Sequence, residues 1–159
     1  MSTSPAPMYG VVEIDGNQYL ERWQIIPFQF NITVDNQVAS PRIPLPGVYD
    51  FRLKGLTRDI LAGTPPVSNL ANFRFSCRIG NTDGDVRYSQ GGLGSTTDQV
   101  LDTLMFGTGQ FPYPVIPPIF YGKNAAIMLD LTDLTGNATA APYTIIMAFH
   151  GAYLIPLGS

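Results

Sequence analysis

Three runs from the last third of the chain decide the fold: Phe111-Pro-Tyr-Pro-Val-Ile-Pro-Pro-Ile-Phe-Tyr-Gly-Lys123, Ala125-Ala-Ile-Met-Leu-Asp-Leu131 and Tyr143-Thr-Ile-Ile-Met-Ala-Phe-His-Gly-Ala-Tyr-Leu-Ile155. The first carries four prolines, which a helix interior does not tolerate. The third is a long apolar run rich in β-branched and aromatic residues, the composition of a strand. It reads as a closing strand, paired with the strand just across the small polar loop. Nothing in these runs is arranged like an active site.

The same texture extends backwards. The chain has 159 residues, 16 of them Gly and 14 Pro, which leaves little room for helices. Short β-rich runs between turn residues indicate an all-β sandwich or barrel. Met8–Ile14 reads as a first strand, Asp15-Gly16-Asn17 as a tight turn, and Tyr19–Trp23 as the returning partner. Pro27 interrupts the next run. Phe28–Val34 then alternates at period two, placing Phe28, Phe30, Ile32 and Val34 inward. Pro41–Gly47 reads as extended linker. Val48–Ile60 alternates again, with Phe51 and Leu53 inward and Tyr49 in the same phase. Asn72–Ile79 and Val86–Tyr88, joined by Gly80–Asp85, form the clearest hairpin. Ser95–Phe106 is the one stretch that suits a helix, capped by Ser95 or Thr96 with a stripe of Val100, Leu101 and Leu104; a strand over Gln99–Met105 fits nearly as well. The expectation is an all-β, jelly-roll-like antiparallel β-sandwich of about eight strands with at most one short helix. It forms a single domain over residues 9–159 behind an N-terminal arm, residues 1–8.

Charge limits the functional classes. Net charge is −3, and charged residues are 13% of the chain, about half the usual share of roughly 25%. No basic footprint for nucleic acid exists. Arg42, Arg52, Lys54 and Arg58 cluster, but Asp50 and Asp59 interleave with them, which predicts cross-strand ion pairs or a solvated face. Charged groups are depleted at interface cores, so a surface this neutral suits a protein made for contact. No apolar run is long enough for a membrane-spanning helix. The N-terminal residues lack a secretory pattern, and a cytoplasmic origin is expected.

Candidate sites fall away one by one. Cys77 is the single cysteine and alternates with Phe73 and Phe75, so it reads as a buried thiol. His150 is the single histidine, mid-strand, with no nucleophile-elbow pattern elsewhere. Three or four zinc ligands are not at hand. Asn81–Asp85 lacks the closing Glu of a calcium loop and reads as a hairpin turn. The glycines at 91–94 and 107–109 are turns, without the lysine of a phosphate loop. Asp130 and Asp133 sit at a strand end entering a turn. No catalytic residue, metal or cofactor is expected. The aromatic residues Phe111, Tyr113, Phe120 and Tyr121, stiffened by prolines, suit either assembly contact or packing at the sandwich end. Pro5, Pro7 and Met8 of the arm join them as candidate assembly contacts.

Several stretches give the chain a resemblance to the small jelly-roll virion proteins of tailed bacteriophages: Phe51-Arg-Leu-Lys-Gly-Leu56, Phe120–Leu131, Leu134-Thr-Gly-Asn137 and Ala148–Ile155. The likeness spans roughly residues 25 to 155 as an order of strands and turns. It implies a head decoration (cement) protein, with no catalytic residues. Such a protein forms a homo-oligomer, most often a trimer, and binds the major capsid protein on the capsid exterior, where an arm often reaches a neighbour. A minor capsid or neck protein shares the pattern. A carbohydrate- or receptor-binding module of a virion fibre, stacking sugars on Tyr113, Tyr121 and Trp23, and a small β-sandwich hydrolase are the readings from other classes.

Overall fold

The computed structural model describes residues 9–45, 47–70, 72–82, 86–88, 99–108 and 110–158. The strands are β1 (Tyr9–Ile14), β2 (Asn17–Ile32), β3 (Val38–Ala39), β4 (Arg42–Pro44), β5 (Asp50–Ala62), β6 (Val67–Ser68), β7 (Phe75–Asn81), β8 (Val86–Tyr88), β9 (Val100–Leu101), β10 (Tyr113–Tyr121), β11 (Ala126–Asp133) and β12 (Tyr143–Pro156). One turn of helix, α1 (Asp102–Met105), follows β9.

Two antiparallel sheets result. The first runs β1-β2-β12-β5-β10, with β6 beside β5. The second runs β3-β11-β7-β8, with β4 also on β11 and β9 also on β7. β11 occupies one edge of β7 along its whole length, so β8 and β9 share the other edge as one interrupted strand. β3 and β4 likewise act as one strand along β11. With β1 and β6 set aside, eight main strands remain; numbered afresh in chain order, the sheets read 1-8-3-6 and 2-7-4-5. That double Greek key is a jelly roll, as the strand pattern predicted.

The core lies between the sheets. Alternation presents Tyr143, Ile145, Met147 and Phe149 of β12, Phe51, Leu53 and Ile60 of β5, and Tyr121 of β10 from one side. Phe75, Cys77 and Ile79 of β7 and Ile127, Leu129 and Leu131 of β11 meet them from the other. The rings of Phe73 and Tyr143 pack at 4.7 Å between centroids, and those of Phe51 and Tyr153 at 5.1 Å. Asp133 is buried at one end of this core. It accepts hydrogen bonds from the Tyr143 hydroxyl (2.7 Å) and from the amides of Thr135, Gly136 and Asn36 (3.0 Å each), tying two loops to the start of β12.

Several expectations are met locally and missed globally. Asp15 and Gly16 both take positive φ (52° and 79°), the backbone that a two-residue hairpin needs, and they join β1 to β2. The β7–β8 hairpin forms; residues 83–85 of its turn lie outside the described residues. The pairing expected between the last two strands does not form. β11 belongs to the second sheet and β12 to the first, and the loop between them crosses the sandwich. Tyr19–Trp23 and Phe28–Val34 belong to one strand, β2, which Pro27 does not break, and Val34 is exposed beyond its end. Tyr49 lies at the surface before β5 begins. The stretch read as linker contains β4, paired to β11. The helix is shorter than its expected stripe: Val100 and Leu101 are strand, Leu104 is exposed, and Asp102 and Met105 are the buried residues. Ser95 and Thr96 lie outside the described residues.

Pro27 is tolerated for a geometric reason. The Leu157 amide donates to the Gln18 carbonyl, and β2 pairs with β12 without a register shift. Even-numbered residues of β2 therefore point their backbone groups at β12, and odd-numbered residues point at the far edge. Beyond Arg22 that edge has no partner strand among the described residues. Pro27 is odd-numbered, so its missing N–H belongs to the open edge and costs no ladder hydrogen bond.

Candidate functional site

The outer face of the first sheet sets it apart from the rest of the surface. Register aligns two rows across four strands. Ile25 of β2, His150 of β12, Gly55 of β5 and Pro114 of β10 make one row. Trp23, Ala152, Arg52 and Phe120 make the next. At strand spacings of about 4.8 Å, each row spans roughly 15 Å. Trp23 and Ile25 are 44% and 55% exposed, Phe120 is 46% exposed, and Ile116, in the irregular stretch of β10, is 84% exposed. Pro112 lies over Gly55 beside His150, because a Cβ on Gly55 would touch both side chains. This half of the sheet is apolar. The far half, with Gln29, Asn31, Asp59 and Thr144, is polar.

The charges on the apolar half are spent on one another. Glu21 is almost fully buried and accepts from Arg52 (2.9 Å) and Lys54 (2.7 Å). Lys54 is the residue that the β5–β12 bulge leaves without a partner, and its ammonium lies 4.4 Å from the centre of the Trp23 ring. Arg52 lies 5.2 Å over Phe120. Both are cation–π distances. The His150 Nε2 is 3.0 Å from the Thr57 hydroxyl, and burial holds its pKa below the ordinary histidine value, so the ring is neutral near pH 7. Arg52 and Lys54 of β5 form cross-strand ion pairs, with Glu21 of β2 rather than with the interleaved aspartates, and Arg58 pairs with Asp102 of α1.

The aromatic segment is held in place from below. Gly107 pairs with β5, its amide donating to the Leu56 carbonyl and its carbonyl accepting from the Arg58 amide, 3.0 Å each. The backbone of Phe111 and Tyr113 packs so closely on Gly107 that no side chain fits there. Just before it, Asp102 is fully buried and contacts the Arg58 guanidinium at 2.6 Å, inside the sandwich.

Of the sequence-predicted contacts, Phe111, Tyr113 and Phe120 are exposed, at 77%, 40% and 46%. Tyr121 is not available. It pairs with the inward Phe51, is fully buried, and donates to the Gly80 carbonyl. Neighbours on a strand face opposite ways, so Phe120 outward requires Tyr121 inward. Pro5, Pro7 and Met8 lie outside the described residues. Sequence reading passed over Ile25 and Ile116 and treated Trp23 only as a sugar platform. The available signal was apolar residues in both phases of β2.

The remaining candidates have structural surroundings. Cys77 is fully buried; desolvation first, and the Asp130 charge second, push its pKa well above the ordinary thiol range. Asp130 is bonded to Arg78 and Ser40. Among the described residues no cluster of three or more histidine, cysteine or acidic groups could hold a metal, and no helix is long and apolar enough to cross a membrane. Comparison with known protein families, with curated proteins and with solved structures found no match.

Proposed function

We propose that the chain is a non-enzymatic structural protein of a tailed-bacteriophage virion: a head decoration protein whose copies associate and bridge capsomers on the capsid exterior. The observation that carries this reading is the jelly roll with half of one outer sheet face left apolar, where Arg52 and Lys54 pair with Glu21. Jelly rolls serve both capsids and lectins, so the fold alone decides nothing. The chemistry of the face favours protein contact over sugar binding. Lys54 sits on the Trp23 ring, where a sugar would stack, and Tyr121 is inside the core. The resemblance over residues 25 to 155 points the same way. The mechanism is mass action: a protein that binds only the assembled shell stabilises that shell.

Co-sedimentation of the purified protein with heads that lack it tests the reading. Saturable pelleting, with heads that then resist heat better, is expected. Protein that stays in the supernatant would overturn it, and a positive glycan array would favour the fibre-module reading instead.

A further inference from the structure

The open edge of β2 begins where β1 stops. The Asp15–Gly16 turn sets Ile14 against Asn17, and from there the odd-numbered residues of β2 direct their backbone groups at β1: Asn17, Tyr19 and Glu21 face Ile14, Val12 and Gly10. The last described pair is Tyr9 with Arg22. Among the described residues no strand covers the next odd positions, Trp23 to Asn31. Side chains and a proline already blunt much of that edge. Pro27 has no N–H to leave unpaired, and the Gln37 side-chain amide donates to the Asn31 carbonyl at 3.4 Å. The Gln24 side-chain amide reaches the Ile25 carbonyl at 3.4 Å, which places that carbonyl on the free side. The gap next to β1 is Trp23 and Ile25, and an unpaired edge is a template for aggregation.

The residues that precede β1 in the chain have the phase to fill it. Carried on without a register shift, β1 would set Met8 opposite Trp23 and Ala6 opposite Ile25. Both are even-numbered, the phase whose backbone groups face β2 along β1. Pro5 and Pro7 are odd-numbered, so their missing N–H groups would fall on the outer side. A proline at 6 or 8 would interrupt the ladder, whereas prolines at 5 and 7 leave the new edge without donors and so discourage further pairing. One step on, Ser4 would meet Pro27, which offers no N–H, and the ladder ends there.

We propose that residues 6–8 extend β1 along the edge of their own β2, Met8 pairing with Trp23 and Ala6 with Ile25. The Met8 side chain then stands beside Trp23 on the outer face, because residues paired across strands share a face. Continuity of the chain selects this occupant. Tyr9 is already seated opposite Arg22, so Met8 starts one residue from its partner, and the same segment of another molecule would compete against that high effective concentration. Residues 1–5 are left beyond the ladder. The pairing is a property of the single chain and holds whether or not the chain decorates a capsid.

Amide hydrogen exchange resolved by NMR tests the pairing, and two variants test its phase. In the full chain the Trp23 and Ile25 amides should exchange about tenfold or more slowly than in a chain lacking residues 1–8, while the Gln29 amide should exchange alike in both. Ala6→Pro removes a donor on the β2 side and should free the Ile25 amide. Pro5→Ala/Pro7→Ala adds donors only on the outer side; it should keep both amides slow and aggregate sooner on heating. Trp23 is the only tryptophan, and its emission should shift to the red when residues 1–8 are removed but stay constant when the full chain is diluted. Equal exchange at Trp23 and Ile25 with and without residues 1–8 overturns the proposal. So does slow Ile25 exchange retained in Ala6→Pro, or protection lost in Pro5→Ala/Pro7→Ala. Protection and emission that fall away on dilution would assign the edge to another copy's segment, and overturn pairing within one chain.

Discussion

Asp102→Asn is expected to destabilise the fold by about 3–5 kcal/mol, the usual cost of leaving a buried charge without its partner. Asp102 is fully buried, and the Arg58 side chain is 7% exposed. Their contact is 2.6 Å, and the other Asp102 oxygen has no hydrogen-bond partner, so the guanidinium supplies most of what holds the carboxylate. Two unit charges 4 Å apart attract by about 4 kcal/mol at an effective dielectric of 20, which agrees with the expected loss. For a chain of this size about 2–4 °C of melting temperature goes with each kcal/mol, so the melt should fall by about 6–20 °C. Arg58→Met should cost a similar amount. The double variant Arg58→Met/Asp102→Leu removes both charges and should return to wild type or above. Urea unfolding followed by circular dichroism, run as a double-mutant cycle, measures the coupling. A cost below about 1 kcal/mol for Asp102→Asn, as for an exposed pair, would refute the reasoning.

Asp133 gives a pH dependence with a defined sign. Burial by itself raises its pKa, but hydrogen bonds from the Tyr143 hydroxyl and the Thr135, Gly136 and Asn36 amides outweigh burial and hold it below the ordinary aspartate value. Its contribution is present in full above the unfolded pKa of about 3.9 and is lost as pH falls from there through the folded value. Asp133→Asn should cost about 2–4 kcal/mol at pH 7, and melting curves of the two proteins should converge below pH 4. Pro27→Thr restores a donor on the open edge of β2; stability should drop by only about 0.4–1 kcal/mol, while light scattering on heating should start earlier. Removal of residues 1–8 should weaken attachment in a capsid pull-down and leave the fold intact, whereas full attachment would exclude an arm.

What the sequence made legible was local. Period-two alternation in Phe28–Val34, Phe51–Leu53 and Phe73–Cys77 assigned the core residues correctly except for Val34, because alternation is a property of one strand and Val34 lies beyond the end of β2. Which strand pairs with which is not. Tyr19 pairs with Pro156 at the far end of the chain, while β11 and β12, close in sequence, sit in different sheets. The Ser95–Phe106 stretch misled because its apolar residues answer to packing at the sandwich mouth, where Met105 and Phe106 go inward, rather than to a helical stripe. The contact face was half legible. Phe111, Tyr113 and Phe120 stood out as aromatics among prolines. Ile25 and His150 join them only through β12, which lies between β2 and β5 and pairs with both.

Cryo-electron microscopy of heads incubated with the protein tests the central claim most directly. The account predicts jelly-roll density on the outside of the shell, in contact with neighbouring capsomers. Density confined to the neck or tail, or heads left bare at saturating protein, would contradict it.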